Sequence, residues 1–484
     1  MAHGGAPRAL SLLAGVVLVL ALLLPHISVA ASLSAQGVSG SLRFGVVEAY
    51  YRPDDARALG VDWDRIIFDW AQFQPYSPLQ FNTDAVPEAW LQDAQDAGRE
   101  VVGLIKSTPR WASDGLLPGV PPHGLDYPID DPRNYWAAFV REVVGYYGEH
   151  WGITHWIVLN EPDLRPGEIA WYEFDGGIPE YYQMLKVAYL AAKQANPAAV
   201  IHLAGMAWWT DVAAGRPPYM ERLLTFAARD PDAYEHGFFF DVATVHGYFG
   251  TLDFWNMLVQ VRGILWHYGL QDKPIWVDEC NASPSHDPLA ELPDDPPYVV
   301  TLAQQADFIM QAVALSLAAG VERFAVYRLY DDHYMPGKTE PWGLVRANGA
   351  RRPAFGAYRA AIRLFADTRS ARYTWSDRAA LVTMQQPTRT LYVMWARRDV
   401  PVRFHVAADP AEEGMRLDVF GTPRTMQAEY VYGTEAWWFV TSLASAVPQP
   451  DGTIAVEGRP IILVLAGPPR AVWVDVDGAV WGLR

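Results

Sequence analysis

Between residues 41 and 366 short apolar runs alternate with longer amphipathic stretches, and the pattern repeats eight times. The runs fall at 44–48, 65–69, 101–105, 156–159, 200–204, 241–245, 275–278 and 323–327. Each is too short for a helix of ordinary length and reads as a strand buried on both faces. The spacing of apolar residues between them predicts helices over 180–196, 219–228, 254–268, 303–319 and 354–365. A further helix is predicted to open at Asp131, as N-cap, with Pro132 in the first turn; Trp136, Phe139, Val140, Val143 and Tyr147 then recur at helical spacing. Strict alternation implies an α/β domain with parallel strands and helices outside. Eight units over about 320 residues fit a (β/α)8 TIM barrel enlarged by loops. An open doubly wound sheet is the alternative, but it normally carries a Gly-rich phosphate turn after an early strand, and the sequence has none there.

After residue 370 the helical period vanishes. Short runs at 391–395, 402–406, 416–420, 436–440 and 461–465, separated by turn residues, predict a β-sandwich domain over 370–484. At the other end, Arg8, an apolar run from Leu10 to Leu24 and the small residues before 30 resemble a signal peptide over 1–30, which predicts a secreted protein. An uncleaved signal anchor is the alternative, although the run is shorter than the ~20 residues a membrane span prefers. The one cysteine, Cys280, rules out an intramolecular disulfide, so packing must hold the fold together. A formal charge of −17 argues against nucleic acid and anionic membrane surfaces as partners. No metal-ligand spacing or cofactor motif is legible, and none is expected.

Two of the strand-like runs end in acids. His155-Trp-Ile-Val-Leu-Asn-Glu-Pro-Asp163 carries Glu161 where strand four meets Pro162, which cannot donate to a ladder. Pro274-Ile-Trp-Val-Asp-Glu-Cys-Asn281 carries Glu279 at the end of strand seven. In a barrel all strand C-termini meet at one rim, so the two glutamates can face each other across its mouth. Glycoside cleavage needs such a pair: one carboxyl protonates the leaving oxygen, and the other attacks the anomeric carbon or activates water. Each Glu alone reads best as an ordinary charged strand end; together they are much harder to explain that way.

The Asn160-Glu161-Pro162 motif with its partner Glu279 resembles the signature of the clan A glycoside hydrolases. Leu59-Gly-Val, Trp63-Asp-Arg65, Gln74-Pro75 and Thr108-Pro-Arg-Trp-Ala112 resemble glycoside hydrolase family 39 and its relatives, and Trp342-Gly-Leu-Val345 resembles the closing segment of their barrel. The resemblance implies a retaining mechanism, with Glu161 as acid/base and Glu279 as nucleophile. It further implies that Asn160 binds the sugar hydroxyl next to the anomeric carbon. His246 and Tyr248 match the clan's pair after strand six, and Tyr248 would donate to Glu279. Strand eight departs from the pattern: Tyr327-Arg328-Leu-Tyr330 stands where relatives often have Trp, so Tyr327 or Trp342 would floor the sugar site. Gln74 also stands where relatives often have Glu.

Glu48, Tyr50, Asp69, Lys106, Trp111, Trp208 and Trp209 are further rim candidates for sugar contacts, with packing of the barrel top as the alternative for each aromatic. The sequence therefore predicts a secreted retaining β-glycosidase with a carbohydrate substrate. A non-catalytic carbohydrate-binding or cell-surface protein on the same barrel is the rival, and an inverting hydrolase the rival within the chemistry.

Overall fold

The computed structural model describes residues 43–115, 119–168, 172–248, 250–290, 299–331, 341–476 and 479–483. The predicted signal segment 1–30 lies outside them, as does part of the Pro- and Asp-rich stretch after the seventh strand.

Eight parallel strands build the first part of the chain: β1 (Phe44–Val47), β2 (Trp63–Asp69), β3 (Glu100–Lys106), β4 (His155–Val158), β5 (Val200–His202), β6 (Ala243–Gly247), β7 (Ile275–Cys280) and β8 (Arg323–Val326). They lie in the order β5-β4-β3-β2-β1-β8-β7-β6. Parallel bridges from His202 to Val242 and from Met206 to Val245 join the two ends, closing the barrel. Every one of the eight predicted runs is a strand, shifted by at most a few residues. Their side chains are almost wholly buried, inward against Trp63, Val102, Leu104, Ile157, Trp276 and Ala325, and outward against the helices. Gly103 has a packing reason: a Cβ there would lie 2.4 Å from the Trp156 ring.

The helices follow the predicted spans closely, at Ile178–Ala195, Tyr219–Ala227, Thr251–His267, Leu302–Ala318 and Pro353–Phe365. One start is corrected. The helix expected from Asp131 runs over Tyr135–Trp151, and its N-cap is Asn134, whose Oδ1 accepts from the Ala137 N–H at 3.0 Å. The Asp131 carboxylate is engaged elsewhere, accepting from the backbone N–H and the guanidinium of Arg133. That closes a turn before the helix can begin.

The C-terminal part forms two antiparallel sheets, one of six strands and one of five. Their facing sides enclose Leu381, Tyr392, Met394, Phe404, Phe439, Leu463 and Val474. The run predicted at 416–420 is corrected to a strand over Glu413–Leu417. Beyond it Asp418 captures the N–H groups of Phe420 and Thr422, each at 2.9 Å, and turns the chain. Strands at Ser370–Trp375, Ala379–Gln385, Pro423–Gln427, Glu429–Val431, Val472–Val476 and Ala479–Leu483 had no clear signal in the sequence.

Candidate active site

Glu161 leaves β4 through a backbone reversal. Leu159 (φ 65°) and Glu161 (φ 42°) both occupy the left-handed region, which side chains other than glycine seldom adopt. The Glu161 N–H donates to the Gly205 carbonyl at 3.0 Å, joining the reversal to the chain beyond β5. Asp163, fully buried, accepts from the N–H groups of Ala207 (3.1 Å) and Trp208 (2.7 Å), which fixes the same two loops to each other.

On the opposite side, β6 and β7 pair with a shift in register: Val245 faces Val277, but His246 faces Glu279. Asp278 is therefore an extra residue in β7, a bulge that lets two consecutive acids approach the same neighbours. Arg65, from the middle of β2, donates to both, to Asp278 at 3.2 Å and to Glu279. The Tyr248 hydroxyl donates to the other Glu279 oxygen. His246 lies between the two strand ends, with Nδ1 2.7 Å from Glu161 Oε1 and 3.4 Å from Glu279 Oε2, and Nε2 3.5 Å from Asp278 Oδ1.

The buried charges compete. Burial pushes the Glu161 carboxyl up to about 7 against the pull of His246, and the charge of Glu279 adds to the rise. Burial opposes a charged His246, but Glu279, Asp278 and Glu161 around it hold its pKa well above the ordinary imidazole value. Asp278 is held below the usual carboxylate range: burial would raise it, and His246 and Arg65 outweigh burial. Burial, followed by the Glu279 charge, keeps the Tyr248 phenol protonated, as a donor must be. The cluster can thus keep one carboxyl protonated near neutral pH beside another whose two oxygens both accept hydrogen bonds.

Glu161, His246 and Glu279, three of the candidates named from the sequence, each offer a ligand atom within 4.8 Å of the others. The chemistry of this grouping suits a metal poorly. The Arg65 guanidinium already supplies the positive charge a cation would bring to Glu279.

No protein-family model and no curated protein matches this chain. Solved structures do match. A family 39 glycoside hydrolase from Bacteroides cellulosilyticus superposes with a TM-score of 0.60 at 15% identity, over 88% of this chain and 81% of its own. A monomeric beta-xylosidase from Caulobacter crescentus gives 0.56 at 12% identity, over 88% and 96%. A family 30 endoxylanase from Clostridium papyrosolvens gives 0.52 at 11% identity, over 88% and 97%. The chain shares the fold of these glycoside hydrolases.

On this barrel the remaining predicted residues take definite places. Asn160 stands beside Glu161, and its buried Oδ1 has no protein partner among the described residues. Tyr327 and Trp342, the two candidates for the sugar-site floor, both pack against Tyr248, with ring centroids 5.9 and 4.9 Å from it. Asn281, buried after β7, donates to the carbonyls of both at 2.6 Å. Glu48 pairs with Arg328 at 2.9 Å. Lys106 ends β3 and pairs with Glu173 at 2.8 Å, and the Trp111 indole donates to the Gln74 carbonyl at 2.6 Å while packing on Trp70 and Tyr135. Neither of these last two bonds to the carboxyl pair among the described residues. Tyr50 stacks on Trp90 at 3.9 Å, Asp69 caps the short helix that follows β2, Trp208 is buried and Trp209 is exposed. Cys280 is buried, and burial pushes its thiol pKa well up, which suits packing and not reaction.

Sequence reasoning missed Arg65, Asp278, Asp163 and Gly205 as parts of the site. Arg65 did carry a signal: an arginine inside an apolar strand must find a buried acid. Gly205 carried none, because its role depends on a neighbour 41 residues away: a Cβ there would lie 1.9 Å from His246 Nε2.

Proposed function

We propose that the chain is a secreted, retaining β-glycosidase acting on a polysaccharide or oligosaccharide. Glu161 protonates the glycosidic oxygen as Glu279 attacks the anomeric carbon, giving a covalent glycosyl-enzyme. Glu161 then takes a proton from water, which attacks the anomeric carbon and frees the sugar and Glu279. The observation that carries this reading is the pairing itself: two carboxylates, remote in sequence, buried with oxygens within 4.8 Å of each other at one barrel mouth. Such close approach of one oxygen from each is compatible with retention, for which carboxyl groups stand about 5–5.5 Å apart, where inversion needs about 6.5–9.5 Å to admit a water. The raised pKa of Glu161 suits a proton donor, and the donors from Arg65 and Tyr248 suit an ionised nucleophile. The orphaned Asn160 Oδ1 suits a sugar hydroxyl. Because a beta-xylosidase and an endoxylanase share the fold, xylosides are the first substrates to try.

A screen of aryl glycosides and polysaccharides, with the anomer of the first product read by NMR, tests the reading. Net retention with loss of nearly all activity in Glu279→Gln supports it. A small external anion should partly rescue that variant, and Glu161→Gln should keep activity on substrates with good leaving groups. Full activity of either variant on a natural glycan would overturn the assignment.

A further inference from the structure

We infer that the β-sandwich is part of the catalytic apparatus: its 455–458 segment, acting through Thr251 and Gln311, positions Tyr248 against Glu279. This inference rests on the glycosidase reading only for its kinetic consequences.

Tyr248 stands three residues before Thr251, the first residue of the helix that follows β6. That N-terminus is gripped by the other domain. The Thr251 N–H donates to the Ala455 carbonyl at 3.0 Å. Only glycine fits at position 250, because a Cβ there would lie 2.5 Å from the same carbonyl. The Thr251 hydroxyl donates to Gln311 Oε1 at 2.7 Å and accepts from the Glu457 N–H at 3.2 Å. The Gln311 amide, from the helix Leu302–Ala318, donates in turn to the Gly458 carbonyl at 2.8 Å. Thr251 and Gln311 are both buried, so each of these bonds acts without competing water.

The gripping segment is itself anchored. The Glu457 carboxylate accepts from the Trp395 indole (2.5 Å) and the Arg397 guanidinium (2.8 Å) of the sandwich, and the Gly458 N–H donates to the Ala396 carbonyl at 2.7 Å. The far end of the grip is equally close. Phe254, in the first turn of the gripped helix, packs where a Cβ on Gly247 would lie, 2.5 Å from the ring. Position therefore passes from the sandwich to Thr251, through the first helical turn to the end of β6, and by the Tyr248 hydroxyl to Glu279. Thr251 and Gln311 touch no reacting atom and act as positioning residues.

Thr251→Val keeps the shape and the backbone bond to Ala455 but removes the hydroxyl. With an aryl glycoside that the wild type cleaves, kcat should fall on the order of tenfold with KM nearly unchanged, because the lost contact aligns the nucleophile and does not bind sugar. Thr251→Ser should restore kcat. Gln311→Met breaks the same chain of bonds from the other side and should reproduce the effect if the Val variant does not fold. A readout independent of turnover is the NMR resonance of isotope-labelled Tyr248, assigned with Tyr248→Phe, which should shift in either variant. A lowered melting temperature with unchanged kcat and Tyr248 resonance would overturn the inference. A wild type that cleaves no glycoside, with a Tyr248 resonance that still shifts, would sink the glycosidase reading and leave the positional link standing.

Discussion

At the scale of single residues, the site is a balance of buried charge. Arg65 faces two acids and His246 faces three, so removing either cation leaves negative charge stranded in the interior. Arg65→Met should destabilise the fold by about 3–5 kcal/mol, measured by denaturant unfolding, besides abolishing turnover. The same balance sets the pH dependence. With its carboxyl at about 7, Glu161 loses its proton as pH rises through neutrality, so kcat/KM should fall above about pH 7. Tyr248→Phe should lower kcat while leaving that basic limb in place. The two glutamates were legible in the sequence because each ends a strand. The charges around them were not, because Asp278 reaches the cluster only through a bulge that no pattern of alternation announces.

At the scale of the element, the eight barrel strands were readable because parallel strands buried on both faces leave uninterrupted apolar runs. The sandwich was half-readable for the opposite reason. Its edge strands, such as Pro423–Gln427 and Glu429–Val431, are largely exposed, and exposed residues carry little apolar signal. Between β5 and β6 the decisive feature is a lack of bulk: Gly205 lets the His246 ring lie against the backbone that also receives the Glu161 N–H. Gly205→Ala should push the ring aside, reducing kcat on the order of a hundredfold while the circular dichroism stays native. Wild-type turnover in that variant would show that His246 does not need its place.

At the scale of the molecule, the two ends of the barrel do different work. The mouth carries charge, whereas the interior near the other end holds a neutral pair: His155 Nδ1 lies 2.8 Å from His202 Nε2, and both rings pack on Trp276. Burial pulls His155 down to about 3 and His202 well below its ordinary value. Unfolded, both bind protons near pH 6.5, so below that pH the unfolded state holds more protons and stability falls as pH drops toward about 3. His202→Gln removes one titrating ring, and thermal melts should then lose less between pH 7 and pH 5 than the wild type does. Barrel and sandwich belong to one compact unit spanning residues 37–484, tied by Thr251, Gln311, the Gln449–Val299 pair and Arg459–Asp307. Calorimetry should therefore record a single unfolding transition, with no separate event for the C-terminal part.

The grip on Thr251 also bears on how such a chain comes into being. Synthesis runs from the N-terminus, so both carboxyls and all eight strands leave the ribosome well before residue 455 does. A nascent chain at that stage carries Glu161 and Glu279 yet lacks the peptide that grips Thr251, three residues beyond Tyr248. A chain cut short before residue 455 would have its Thr251 ungripped.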